Sequence, residues 1–217
     1  MQSEDQKEVG GPDEEGDSVR VRILRGAVQA FSANGYAGTS VESILAPAGV
    51  SRRTFYKHFR NKEEVFRTLF ERSVQHLAHA VRRAIEHPEQ GPIERIVRAA
   101  EAYVAVHAKG GQLARVMLLE QRNPSSPIAE QRDEARALFV ELIRDSARRS
   151  GMADPDPLLV AGVLAGINRI CLQMTEPGAG AADVERAKAA VLRILVALDD
   201  RSDPSRWTDR LSAALNS

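Results

Sequence analysis

The chain has 217 residues, 43% of them hydrophobic and 28% charged, with no net charge at pH 7. This is an ordinary globular composition, long enough for one large domain or two small ones. The single cysteine, Cys171, excludes an intramolecular disulfide and fits a reducing cytoplasm, while the best membrane candidate, Leu158 to Ile167, is stopped by Asn168 and Arg169 well short of the roughly 20 residues a span needs.

Zero net charge conceals an asymmetry. Residues 1–19 carry seven acids and one lysine, residues 20–72 carry ten Lys or Arg against four acids, and the remainder balances. The acidic, polar N-terminus is not expected to be a signal peptide. Residues 1–18 have no periodicity and almost no large apolar side chain, so a disordered acidic tail is expected. Apolar residues elsewhere recur at three and four, which predicts an all-α chain.

The first helix is expected over about Val19 to Asn34, striped by Leu24, Ala27, Val28 and Phe31 and ended by Gly35. Thr39, with Glu42 three residues on, has the spacing of a capping box. Val41, Ile44, Leu45 and Ala48 then make a short apolar stripe, and Pro47 predicts that this second helix stops early or tightens. Gly49 ends it, Val50 plugs the turn, and Ser51 caps a third helix over about Arg52 to Phe59. Phe55 and Phe59 face the core, while Arg52, Arg53, Thr54, Tyr56, Lys57 and His58 lie outward. A helix, a glycine turn and a second helix loaded with cations and hydroxyls is the outline of a DNA-binding helix-turn-helix. Any helical hairpin with a solvated basic face has the same outline. Asn61 and Glu64 form a second capping box, opening a long helix from Lys62 to about Glu86.

Taken together from about Arg20 to Leu69, and above all in the run AFSANGYAGTSVESILAPAGVSRRTFYKHFRNKEEVF, the chain resembles the TetR family of transcriptional regulators. Pro47 departs from the family pattern, which tends to carry a good helix former there. The resemblance implies an all-α fold of about nine helices: an N-terminal three-helix DNA-binding domain, placed here at 19–72, and a C-terminal helical effector-binding and dimerisation domain at 73–217. Arg52, Arg53 and Thr54, near the start of the recognition helix, are the base-contact candidates. By resemblance Tyr56, Lys57 and His58 contact the DNA backbone with help from Thr39, Ser40 and Lys62, and Ser51 completes the DNA-facing set. Lys62→Ala is expected to weaken binding to all sequences alike and to flatten its salt dependence.

Beyond the break HPEQGP at 87–92, helices are expected over about Ile93 to Ala108, Gln112 to Arg122, Ile128 to Ser150, Leu158 to Met174 and Val184 to Leu198. Gly110-Gly111, NPSSP at 123–127, MADPDP at 152–157 and PGAGAAD at 177–183 separate them, and residues 204–215 predict a tail helix anchored by Trp207. The last two long helices, 158–174 and 184–198, are strongly striped. They either close the monomer core or pair with their copies as a four-helix interface; the resemblance implies the homodimer. It also implies a cavity for a small effector, for which Tyr103, His107, Met117, Glu120, Gln121, Asn168, Cys171 and Met174 are the soft or polar residues on otherwise apolar helices.

The expected function is therefore a cytoplasmic, ligand-responsive repressor that binds a near-palindromic operator in double-stranded DNA as a dimer. No cofactor, metal or membrane partner is expected. His76 and His79 have a metal-compatible spacing but no supporting ligands nearby. No phosphate loop, dinucleotide fingerprint or nucleophile–base pair supports an enzyme. A small-molecule enzyme and a helical interaction module are the competing classes.

Overall fold

A computed structural model describes residues 12–86, 91–149 and 154–199. These residues form eight helical elements: α1 Pro12–Gly38, α2 Val41–Ala48, α3 Arg52–His58, α4 Lys62–Ile85, α5 Pro92–Glu120, α6 Ala129–Arg149, α7 Pro157–Met174 and α8 Ala181–Asp199. Among the described residues there is no strand. Eight elements stand where about nine helices were expected because α5 joins two of them end to end across Gly110-Gly111. The expected interruption survives inside it as a kink at Gly111, with φ 51° and ψ −130°. α1 breaks likewise at Gly35, φ 69°, where the left-handed backbone suits glycine.

α1 begins at Pro12, so residues 12–18 are helical and not the disordered segment expected. Residues 1–11 and the expected tail helix around Trp207 lie outside the described residues, as do parts of the breaks at 87–92 and 152–157.

Two apolar cores organise the chain. The first gathers Ile23, Leu24, Ala27 and Phe31 of α1 with Ile44, Phe55, Phe59, Val65, Phe66 and Phe70. Phe31 meets Phe66 edge-on at 5.0 Å, and Tyr36 tilts against Phe66 at 4.8 Å. Such ring pairs add about 0.5–1.5 kcal/mol beyond the burial of their area. At Gly26 the backbones of α1 and α2 come so close that an added Cβ would lie 2.7 Å from the Ala48 nitrogen. Val116 and Met117 of α5, together with Ile128, also enter this core, well beyond residue 72.

The second core joins Leu77 and Val81 of α4, Tyr103 and Val104 of α5, Phe139 of α6, Leu164, Ile167 and Cys171 of α7, and Val191 of α8. α4 therefore contributes to both cores, its first half to one and its second half to the other.

α7 is 18 residues long with a mean hydropathy of 1.5, apolar and long enough by composition to cross a membrane, yet only 33% of it is buried. Asn168 and Arg169 interrupt its apolar run.

Candidate nucleic-acid interface and cavity

The α2–turn–α3 unit is built by hydrogen bonds that the sequence places one residue off. Ser40, not Thr39, caps α2: its Oγ accepts from the Ser43 N–H at 3.2 Å, and the Ser40 N–H donates to Ser43 Oγ at 3.0 Å. Thr39 is buried, its hydroxyl 2.7 Å from the Gly35 carbonyl and 3.2 Å from that of Ala30. It holds the turn from inside, and its hydroxyl is turned away from the surface where a phosphate contact was expected. Glu42 is thereby released from capping and pairs with Arg52 at 2.9 Å.

Pro47 does not shorten α2, which continues to Ala48. It sits on the exposed side of the last turn, where its missing N–H leaves the Ser43 carbonyl without its usual donor. The helix closes as a Schellman motif: Gly49, at φ 62°, donates to the Ala46 carbonyl at 3.2 Å and Val50 to that of Leu45 at 3.3 Å. Ser51 then caps α3, accepting from the Thr54 N–H at 3.1 Å, and the two hydroxyls lie 2.8 Å apart.

Phe55 and Phe59 are fully buried and fix the roll of α3. That leaves Arg52, Arg53, Tyr56 and Lys57 exposed, Thr54 and His58 half-buried, and Ser40 and Ser51 exposed at the two caps. Arg52 is held by Glu42 and lies 5.9 Å from the Tyr56 ring centroid. Among the described residues Arg53 is exposed and has no ion-pair or hydrogen-bond partner, which sets it apart from Arg52. Arg20 closes the unit from α1. It donates to the His58 carbonyl at 3.2 Å and lies over the Phe59 ring at 4.3 Å.

Lys62 also differs from expectation. Its ammonium donates to the carbonyls of Thr39 at 2.7 Å, Tyr36 at 3.0 Å and Ala37 at 3.5 Å, and sits 4.6 Å from the Tyr36 ring centroid. All three protons are committed within the protein, so Lys62 ties α4 to the α1–α2 turn. The second capping box is similarly displaced: Asn61 accepts from the Glu64 N–H at 2.9 Å, but Glu64 reaches back to the Arg60 N–H at 2.7 Å.

Between α4, α5, α6 and α7 lies a cavity of about 800 Å³. Its apolar wall includes Phe70, Val74, Leu77, Leu118, Phe139 and Leu164. Four of the expected pocket residues line it: Tyr103, His107, Gln121 and Asn168. Three of these form a polar chain, in which the Tyr103 hydroxyl donates to Asn168 Oδ1 at 2.6 Å and Asn168 Nδ2 to Gln121 Oε1 at 3.4 Å. The other four do not line it. Met117 is packed into the first core; Cys171 and Met174 are packed into the second. Glu120 accepts from Asn123 at 3.5 Å instead. The sequence reading missed Arg122, Arg132, Arg136 and Arg169, all of which line the cavity. Arginines read as solvated surface, although Arg132 and Arg136 do flank Ala135 one helical turn apart.

Burial pushes the Cys171 thiol up to about 12 and raises Tyr103 well above the phenol range. It lowers His107 below its ordinary 6.5, opposed in part by the bond from Nδ1 to the Tyr103 carbonyl at 2.9 Å. His107 is therefore neutral at pH 7, with Nδ1 carrying the proton. Unfolded, the imidazole protonates near 6.5; folded, it resists until lower pH. Its stabilising effect is complete above about pH 6.5 and is lost as pH falls through the folded value, by up to about 1.4 kcal/mol per pH unit. Urea unfolding at pH 7.5 and pH 5.5 should show a drop in stability that is smaller in His107→Gln. An equal drop in both proteins would exclude His107 as a source.

A second, open groove runs between α7 and α8, lined by Asp156, Leu158, Leu159, Gly162, Val163, Gly166 and Ile194. Leu158 is 82% exposed and Leu159 51%. A Cβ added at Gly162 or Gly166 would meet nothing within 4 Å. His76 and His79 are both exposed, and among the described residues no group of three or more metal-ligating side chains comes together.

Comparison with known proteins matches residues 23–69 to the family model described as bacterial regulatory proteins, tetR family. The HTH-type transcriptional regulator TcmR of Streptomyces glaucescens is 30% identical over 165 residues, 70% of each chain. The HTH-type transcriptional repressor SCO4008 of Streptomyces coelicolor is 26% identical over 175 residues, 77% of this chain and 86% of the relative. The solved structure of the fatty acid degradation regulator FadR from Bacillus halodurans superposes with a TM-score of 0.68 at 20% identity, covering 85% of this chain and 97% of that one.

Proposed function

Because the chain belongs to the tetR family of bacterial regulatory proteins, and is thus a transcription regulator and not an enzyme, we propose that it is a ligand-responsive repressor that binds a near-palindromic operator as a homodimer. Residues 19–72 are the DNA-reading head and 73–217 the effector and dimerisation body, working in the cytoplasm. The observation that carries the DNA reading is the exposed face of α3, where Arg52, Arg53, Tyr56 and Lys57 stand over the buried Phe55 and Phe59. Arg53 and Thr54 read base edges, with Arg52 recruited from Glu42. Tyr56, Lys57 and His58, with Ser40 and Ser51 at the caps, hold phosphates.

The dimer reading is supported by α7: an apolar helix left mostly uncovered, with small residues at Gly162 and Gly166 where a second helix can approach closely. A second copy of α7 and α8 covers the groove as a four-helix interface, placing two α3 helices in successive major grooves.

The effector reading rests on the cavity and its neighbours. Phe70 lines the cavity and belongs to the core of the head, and Val74 packs against both cores. An occupant pressing on this part of α4 shifts the head, and ligand and operator then favour different head spacings.

The test is to recover the sites retained from sheared genomic DNA of the source organism at near-physiological salt. An inverted repeat is expected. Arg53→Ala should weaken binding to that repeat about tenfold and relax preference at one base position per half-site, with unchanged thermal unfolding. Retention of no common sequence overturns the operator reading, and equal loss on all sequences overturns the role given to Arg53.

A further inference from the structure

Resting on the reading of the cavity as the effector site, we infer that its ligand is an amphipathic organic anion: an apolar body seated in the cavity and a carboxylate or phosphate head held at an arginine rim. The cavity lining includes Arg122, Arg132, Arg136 and Arg169, and neither Asp nor Glu. The rim arrives from three places in the chain: the turn just after α5, the first turns of α6, and the last third of α7.

The nearest opposing charge is shared. Asp133 accepts from Arg132 Nε at 3.1 Å and also pairs with Arg136. One carboxylate therefore serves two guanidiniums. Arg132 also donates to the Gln121 carbonyl at 3.3 Å, which orients its fork. Among the described residues, neither Arg122 nor Arg169 has a carboxylate partner. The rim thus carries an excess of positive charge, made of the side chain best matched to planar oxyanions.

The interior adds no charge to this. Burial lowers His107 so that it is neutral at pH 7, and the Tyr103 phenol keeps its proton there. The remaining polar groups form a chain in which Tyr103, Asn168 and Gln121 largely satisfy each other. The apolar wall from Phe70 to Leu164 suits a hydrocarbon or aromatic body. A cationic ligand would have its head among four arginines with no acidic lining residue to receive it.

The experiment uses the full-length protein and four probes with one alkyl chain: dodecanoate, dodecyl phosphate, dodecanol and dodecyltrimethylammonium. Each is titrated by calorimetry below its micelle-forming concentration, at two salt concentrations. The expected result is that at least one anion binds tenfold or more tightly than the alcohol, with the advantage shrinking as salt rises. Which of the two anions binds more tightly identifies the head group. Arg169→Gln and Arg122→Gln, both at exposed positions, should cut anion affinity at least fivefold while leaving affinity for dodecanol and the thermal unfolding unchanged. Dodecanol or the ammonium binding as well as the anions overturns the charge inference but leaves the effector reading standing. Anion binding indifferent to both substitutions overturns the rim assignment. Failure of all four probes to bind overturns the inference, while the operator test above still decides the regulator reading separately.

Discussion

Gly26→Ala should lower the stability of the DNA-binding head by about 3 kcal/mol, seen as a fall in the urea midpoint of the full chain. On helix propensity alone the change should help, by about 1 kcal/mol in a helix interior. The structure reverses the sign. A Cβ on Gly26 would lie 2.7 Å from the Ala48 nitrogen, 2.8 Å from its Cβ and 2.9 Å from its Cα. These are mostly backbone atoms at the end of α2, one residue before the left-handed Gly49, so no side chain can swing aside. Relief requires α1 to move away from α2 and uncover Ile23, Ala27 and Ile44, all fully buried. The same movement would disturb the α2–α3 hairpin, so DNA affinity should fall with stability. An unchanged or raised midpoint would mean that the two helices separate without cost.

Lys62→Met should cost about 2–3 kcal/mol. The methionine keeps most of the stem but removes the three donated hydrogen bonds and the charge beside Tyr36. Part-buried carbonyls at Tyr36 and Thr39 then lose their partner, a change of about 1–3 kcal/mol where water cannot substitute, and the cation–π contact is lost as well. This clamp stands against the expectation that Lys62 serves a phosphate. The two roles separate cleanly: a phosphate contact would leave unfolding unaltered and reduce the salt slope of DNA binding by about one, whereas the clamp seen here lowers the unfolding midpoint without DNA.

Where the sequence was readable, it was so because one physical signal dominated. Phe55 and Phe59 face inward as their spacing requires, and α3 begins at Arg52 behind Ser51 as the cap rule predicts. Thr39 and Ser40 were harder, since two adjacent hydroxyls both satisfy a cap pattern. What chose between them was burial of Thr39 under the Gly35 turn, a tertiary fact. Pro47 obeyed no local expectation because its ring lies on the exposed side of a last turn already closed by Gly49 and Val50.

The cavity divides in the same manner. Tyr103, His107, Gln121 and Asn168 were legible as polar groups on apolar stripes. Met117, Cys171 and Met174 fit that description equally well but fill cores, because a soft apolar side chain does not reveal which neighbour it touches. Glu120 points elsewhere, and the rim arginines were invisible because an arginine on a helix is by default solvated.

The kinked α5 carries a consequence for anyone rebuilding such a molecule. Its first half builds the second core through Ala100, Tyr103 and Val104, while its second half sends Val116 and Met117 into the first, joined there by Ile128. The reading head is thus sealed by side chains encoded thirty or more residues downstream of α4. A hybrid made by grafting residues 1–86 onto a different body would arrive with the first core incomplete. Moving this head onto another body means carrying those three side chains along with it, or choosing a recipient that already offers their equivalents.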